Sequence, residues 1–345
     1  MSLPDTLQIL FWVAFSLIAG FWVVRSYWRV KSEIRRYAEG ETPLRSSRAL
    51  IWRAPAALSA ADLEAGPGGI DGAPSPPFRF VEEHDTGSQP CVSVRDVKDR
   101  AWRVKWGQEV HTEVFGTRLA WALGYFAEPS YFIADGAITG ATELRRASTC
   151  ITDERFTEAR FELDEQGVTK HFDAHGWAWH DNPFVGTPEL SGLKILMMLM
   201  SNWDNKDVRD VARGSNTAIF ECRVNNTIEA RYLIIDWGAA LGAWGNNIFQ
   251  RGRWNPEAFA GQNPQFITGI DGDLVRFGYQ GQRTADLVGN ITRADVRWFD
   301  RIASAISDEH LRAALRASGA SLEETDLFTA SLRARLTQIH EAGSG

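Results

Sequence analysis

Four short stretches of this 345-residue chain carry residue types suited to phosphate and metal chemistry. Gly87-Ser88-Gln89-Pro90 stands directly before an apolar, β-type run. A glycine-containing turn there can aim backbone N–H groups at phosphate oxygens, although an ordinary turn is its commoner use. Lys105 closes the run AWRVK, where an ammonium can neutralise phosphate charge, and Glu113 on the following helix is placed to hold it by an ion pair. Asp204 and Lys206 lie in SNWDNKD, just past an apolar helix. The carboxylate can orient a hydroxyl and accept its proton, and the ammonium can offset charge on a transferred group. Asn216 precedes the run TAIFE, and Asp236 ends the next run in IIDWG. Together they offer oxygen ligands suited to Mg2+. Taken singly, these residues read as turns, caps and solvated charges. Their order, D-x-K, then Asn before a strand, then strand-D-x-G, is the specific signal.

The elements that must position them are legible nearby. CVSVRD (91–96) and AWRVKW (101–106) are alternating β-type runs around a polar turn, which predicts a hairpin. Val110, Val114, Leu119, Ala122 and Leu123 recur at helical spacing, so a helix is expected over Glu109–Leu123 with Gly124 as its cap. Strands are expected through much of 130–163. Thr187-Pro188-Glu189 combines a capping hydroxyl, a first-turn proline and an early acid. The helix it opens, ELSGLKILMMLM, is apolar nearly all round and should be buried. TAIFECRV and ARYLIID form a strand pair across Asn225-Asn226. The Gly- and Asn-rich region 239–290 gives no clear assignment. Helices follow to the C-terminus, the last opened by a capping box of Ser321 and Glu324.

Composition narrows the class. The chain is 44% hydrophobic and 23% charged, and its 14 Trp residues point to packed apolar clusters rather than disorder. A net charge of −7, without a basic stripe, argues against nucleic acid as a partner. Cys91, Cys150 and Cys222 show no metal-ligand spacing and read as buried free thiols of a reducing compartment. His171, His175 and His180 are weak metal-ligand candidates, better read as surface or hydrogen-bonded histidines.

The uncharged run Leu7–Val24, as a helix, would reach about 27 Å, close to a bilayer's hydrocarbon thickness. Tyr27 and Trp28 lie where an aromatic belt would, and Arg25, Arg29, Lys31, Arg35 and Arg36 follow the apolar run. The positive-inside rule predicts a single-pass anchor in the inner (cytoplasmic) membrane with the C-terminal bulk in the cytoplasm. A cleaved signal peptide is the alternative; it lacks a basic n-region and a small-x-small cleavage site. The expected organisation is an anchor and basic segment over 1–36, a Gly/Pro-rich linker over 37–77, a β-rich part over 78–182 and a helical part over 183–341.

These motifs resemble an atypical protein kinase of the HipA type, within the wider group that includes phosphatidylinositol-kinase-like enzymes. GSQP is similar to that family's phosphate-binding loop, the stretch from Glu113 to Gly124 to its lysine-pairing helix, NWDNKD to its catalytic loop and IIDWG to its DFG equivalent. The resemblance spans roughly 78–330. It implies an α+β, two-lobed kinase-like domain, β-rich then helical, binding ATP and Mg2+ between the lobes. Asp204 would be the catalytic Asp, Asn216 and Asp236 the metal ligands, and Lys105 the phosphate-pairing lysine. There is no GxGxxG loop, and Arg209 stands where that family's Asn falls. Asn216 can serve only if VRDVARG loops out; otherwise Asp207 or Asp210 takes the role. The expected activity is phosphoryl transfer to a hydroxyl of a protein, lipid or small molecule. A nucleotide-binding pseudokinase scaffold and an exported interaction domain are the alternatives.

Overall fold

The computed structural model describes residues 47–85, 87, 89–164, 167–245 and 252–344. The expected membrane span, its basic flank and Ser88 lie outside the described residues. Among those described, no helix is long and apolar enough to cross a membrane.

Strand β1 (Arg48–Leu50) is followed by two short helices, α1 (Ala60–Ala65) and α2 (Gly69–Gly72). Strands β2 (Phe78–Glu83), β3 (Cys91–Arg95) and β4 (Ala101–Lys105) precede helix α3 (Val110–Ala122). Then come β5 (Ser130–Thr139), β6 (Ile151–Thr152) and β7 (Arg155–Leu163). Their sheet order is β4-β3-β2-β5-β7-β6, and β4 also pairs with β7, so five strands close into a barrel. The predicted β3–β4 hairpin forms because Asp96 accepts the Lys98 and Arg100 N–H groups, each at 2.9 Å, and so folds the turn. Alternation fills the interior: Val92, Val94, Trp102, Val104, Ala159 and Phe161 are fully buried. Their neighbours Arg103, Lys105, Arg160 and Glu162 face the other way.

Strand β8 (Val168–His171), helix α4 (Pro188–Leu199) and the hairpin β9 (Thr217–Val224) and β10 (Thr227–Ile234) come next. Helix α5 (Pro256–Ala260), the hairpin β11 (Ile267–Asp271) and β12 (Leu274–Phe277), and helix α6 (Thr284–Val288) occupy the region that sequence patterns left unassigned. Helices α7 (Arg293–Ala303), α8 (Asp308–Ala317) and α9 (Leu322–Ser344) complete the chain. Thr187 caps α4 as predicted, and the Ser321–Glu324 box opens α9. Ile195 to Met200 are almost completely buried, as an all-round apolar helix requires. A second hydrophobic core, separate from the barrel's, runs through α3, α4 and α7–α9.

Two sequence boundaries need correction. The stretch expected to be a linker over 37–77 belongs to the fold from residue 48. There β1 pairs in parallel with β10, and Ile51 and Leu63 sit in the helical core. Its Gly/Pro-rich composition supplies turns, and its few apolar residues are the ones buried. The expected division at 182/183 also misses the real change of sheet. β8 lies before it yet pairs with β9, in the order β1-β10-β9-β8.

Candidate functional site

The site is built where α4 ends. Residues Ser201 to Lys206 leave the helix in a stretch fixed by hydrogen bonds: Trp203 N–H donates to Ala239 O at 3.2 Å, and Tyr279 Oη donates to Asn202 O at 2.5 Å. This ties the Asp204 loop to the turn carrying Asp236. That turn is itself closed by the Gly238 N–H donating to Asp236 Oδ1 at 2.9 Å. Asn202 reaches across, its Nδ2 donating to Asp236 O at 3.0 Å. Trp237 is fully buried against α3, where Gly116 leaves it room: a Cβ there would stand 2.5 Å from the indole side chain. Thr112 Oγ1 donates to Gly238 O at 3.1 Å, a second clamp between α3 and the same turn.

Asn216 completes the centre. Its Nδ2 donates to the Asp204 backbone carbonyl, its N–H donates to Lys206 O at 3.3 Å, and its carbonyl accepts the Ile235 N–H at 2.9 Å. The segment Val208–Arg213 loops out as a 3-10 turn, which is what brings Asn216 back. The two alternatives are engaged elsewhere. Asp207 accepts the Arg209 backbone N–H and guanidinium and the Trp179 N–H, and Asp210 pairs with Arg283 at 3.4 Å.

Asp204 Oδ2 meets Lys206 Nζ at 3.4 Å, while its Oδ1 is buried without a hydrogen-bond partner. Burial raises the Asp204 carboxyl above its ordinary 3.8; Lys206 opposes the shift and the nearby charge of Asp236 adds to it. Glu109, at the start of α3, is likewise raised by burial and then by Asp236, against the pull of Arg253, which it meets at 3.1 Å.

On the barrel side, Gln89, Lys105, Glu109, Glu113 and Arg160 line one small cavity. Gln89 lies over Gly107, whose φ of +114° suits only glycine and where a Cβ would meet the amide at 2.3 Å. Gly87 stands apart: it is exposed, and Arg146 donates to its carbonyl at 2.8 Å.

The expected Lys105–Glu113 pair is a correction. Glu113 meets Arg160 at 2.9 Å, and among the described residues no carboxylate comes within ion-pair distance of Lys105. Lys105 and Arg160 are direct cross-strand partners on β4 and β7, and the arginine's fork takes the acid. Arg160 also meets Glu162 at 2.8 Å. Burial raises both acids, but Arg160, with Lys105, Arg103 and Lys170, pulls Glu162 down to about 2. Burial prevails at Glu113, which stays well above its ordinary value.

A hard divalent cation fits this donor set. Asp236 has one oxygen outside its turn, and Asp204 Oδ1 and Asn202 Oδ1 are both buried without partners. Among the described residues no group of three or more His, Cys, Asp and Glu could hold a metal ion, and the remaining oxygen donors at this point are the amides of Asn202 and Asn216. The histidine candidates are separate: His171 pairs with Glu221 and His180 with Asp286, each at 3.0 Å. Sequence reasoning missed Asn202, Glu109, Arg160 and Arg253. Arg160 had a signal, since a charge between two core residues of a strand needs a buried partner. The three cysteines form no disulfide with one another; Cys91 and Cys222 are buried and Cys150 is half-buried.

No protein-family model and no curated protein sequence matches the chain. Among solved structures it is similar to a Golgi casein kinase (TM-score 0.39, 11% identity, 78% of this chain and 74% of that one). It is also similar to the Golgi casein kinase with Mn/ADP bound (TM-score 0.38, 12% identity, 79% and 74%). The chain is a mixed α/β protein with kinases among its distant structural neighbours. The narrower HipA-type affiliation rests on the motifs alone.

Proposed function

We propose that the chain is a membrane-anchored phosphotransferase of the atypical-kinase type, moving the terminal phosphoryl group of Mg2+-bound ATP to a hydroxyl acceptor. The reading is carried by one observation. Asp204, Asn216 and Asp236, at the ends of three successive elements, are linked by hydrogen bonds through Asn216 and Asn202, and an oxygen of Asp204 there is buried and unpartnered. The barrel and the helical part are then the two lobes, with Lys105 and Gln89 on one side of the cleft and the Asp204 loop on the other. Asp236 and Asn216, helped by Asn202, would hold the cation, which neutralises charge on the phosphates. Asp204, raised in pKa, accepts the proton of the acceptor hydroxyl as its oxygen bonds to phosphorus and ADP departs. Lys206 and Lys105 offset charge on the transferred and remaining phosphates.

One observation favours a second reading, a nucleotide-binding scaffold without transfer. Glu113 is committed to Arg160, and among the described residues no other carboxylate holds Lys105 by an ion pair. Thermal shift of the purified chain with Mg-ATP, then transfer of labelled phosphate to hydroxyl acceptors, separates the two. Stabilisation that chelation or Asp236→Ala removes, together with transfer, supports the kinase reading. Stabilisation without transfer favours the scaffold, and no response to nucleotide sinks both. A C-terminal reporter fusion tests the anchor: activity on the non-cytoplasmic side would refute the proposed topology.

A further inference from the structure

A second, roomier cavity lies away from this site. It encloses about 370 Å³, within the range of about 300–1,000 Å³ typical of small-molecule pockets. Its walls are the segment following Trp52, the C-terminal end of α3 and the β9–β10 hairpin, and none of its lining residues borders the Lys105 cavity. The first wall is fixed to the second: Trp52 Nε1 donates to Leu123 O at 2.8 Å and the Arg53 N–H donates to Gly124 O at 2.9 Å. The cavity is therefore pre-formed.

Its lining is amphipathic. Phe220, Leu233 and the ring of Phe126 give apolar surface, and Arg53 and Arg231 converge from two walls, their guanidiniums 5.7 and 5.2 Å from the Phe126 centroid. Both arginines share a single acid: Glu229 meets Arg53 at 2.6 Å and Arg231 at 3.0 Å. Glu128, also on the wall, pairs with Lys170 at 2.7 Å, and Lys170 also meets Asp164 at 3.7 Å. Two guanidiniums facing one carboxylate give the Arg53–Arg231 end of the chamber a local positive excess beside the apolar side chains of Phe220 and Leu233. A neutral ligand would leave that charge unused, and a highly charged one would strand its excess against the aromatic rings.

We propose that this cavity binds a small apolar carboxylate, its head between Arg53 and Arg231 and its body against Phe220 and Leu233. Guanidinium–carboxylate pairing supplies orientation and the chamber supplies the burial term. Octanoate, with octanol as the uncharged control, tests this by calorimetry on the full chain. Octanoate binds and raises the melting temperature, and octanol binds at least about tenfold more weakly. Arg231→Gln, which leaves Glu229 held by Arg53, removes most of that preference. Cys222→Trp fills the chamber and abolishes binding; Arg53→Gln serves as a second charge variant should the tryptophan disturb folding. Asp236→Ala leaves octanoate affinity unchanged. No octanoate binding at millimolar concentration, equal affinity for octanol, or full binding by both arginine variants overturns the proposal.

Discussion

The side-chain amide of Asn216 donates to the backbone carbonyl of Asp204 at 2.5 Å, while the carbonyl of Asn216 accepts the Ile235 N–H at 2.9 Å. One residue thus sets the spacing between the Asp204 loop and the strand end carrying Asp236. Asn216→Ala strands a carbonyl in a largely buried position, which costs about 1–3 kcal/mol. Urea unfolding should show that loss, and the Mg-ATP thermal shift should shrink with it. A variant with wild-type stability and nucleotide response would show that Asn216 is dispensable.

Asp204 carries an unpartnered buried oxygen and a raised pKa, so its proposed work is proton acceptance rather than structure. Asp204→Asn keeps shape and leaves the nucleotide-induced shift in place. Phosphate transfer should fall by about 10²–10⁴-fold, the usual contribution of a general base. Transfer within a factor of a few of wild type would remove Asp204 from the role.

Arg160 is the hub of the barrel's outer face, holding Glu113 and Glu162 together. Arg160→Leu leaves the buried Glu113 without its cation and takes the nearest one from Glu162, a change of about 3–5 kcal/mol. Glu113→Gln should cost clearly less, because Arg160 keeps Glu162. Denaturant midpoints of the two variants give the comparison, and the reverse order would mean that Glu113, not Arg160, anchors the network.

Glu128 gives a pH signature. Burial and then the charge of Glu162 raise its carboxyl from the ordinary 4.5 to about 7, against Lys170. Between those values the folded protein holds a proton that the unfolded chain has released. Its contribution to stability therefore falls as pH rises from 4.5 to about 7, then levels off. Glu162 acts oppositely: held at about 2, it contributes stability that is lost as pH falls below 4.5. Glu128→Gln should gain melting temperature relative to wild type at the alkaline end of the upper window. An unchanged difference between variant and wild type across that window would contradict the assignment.

Local patterns in the sequence were enough for the β3–β4 and β9–β10 hairpins, for the Thr187 and Ser321 helix starts, and for a buried α4. Each depends on residues within a few positions of one another, where alternation, capping and turn chemistry act directly. The positions of Asp204, Asn216 and Asp236 at the ends of such elements were readable for the same reason. Tertiary structure alone decided who meets whom. Barrel closure puts Arg160 beside Lys105 and gives it Glu113, and no spacing along the chain encodes a cross-strand neighbour 55 positions away (160 − 105). It also turned an expected linker into the wall of a cavity, since Ile51 and Leu63 find their burial only on helices that come later in the chain.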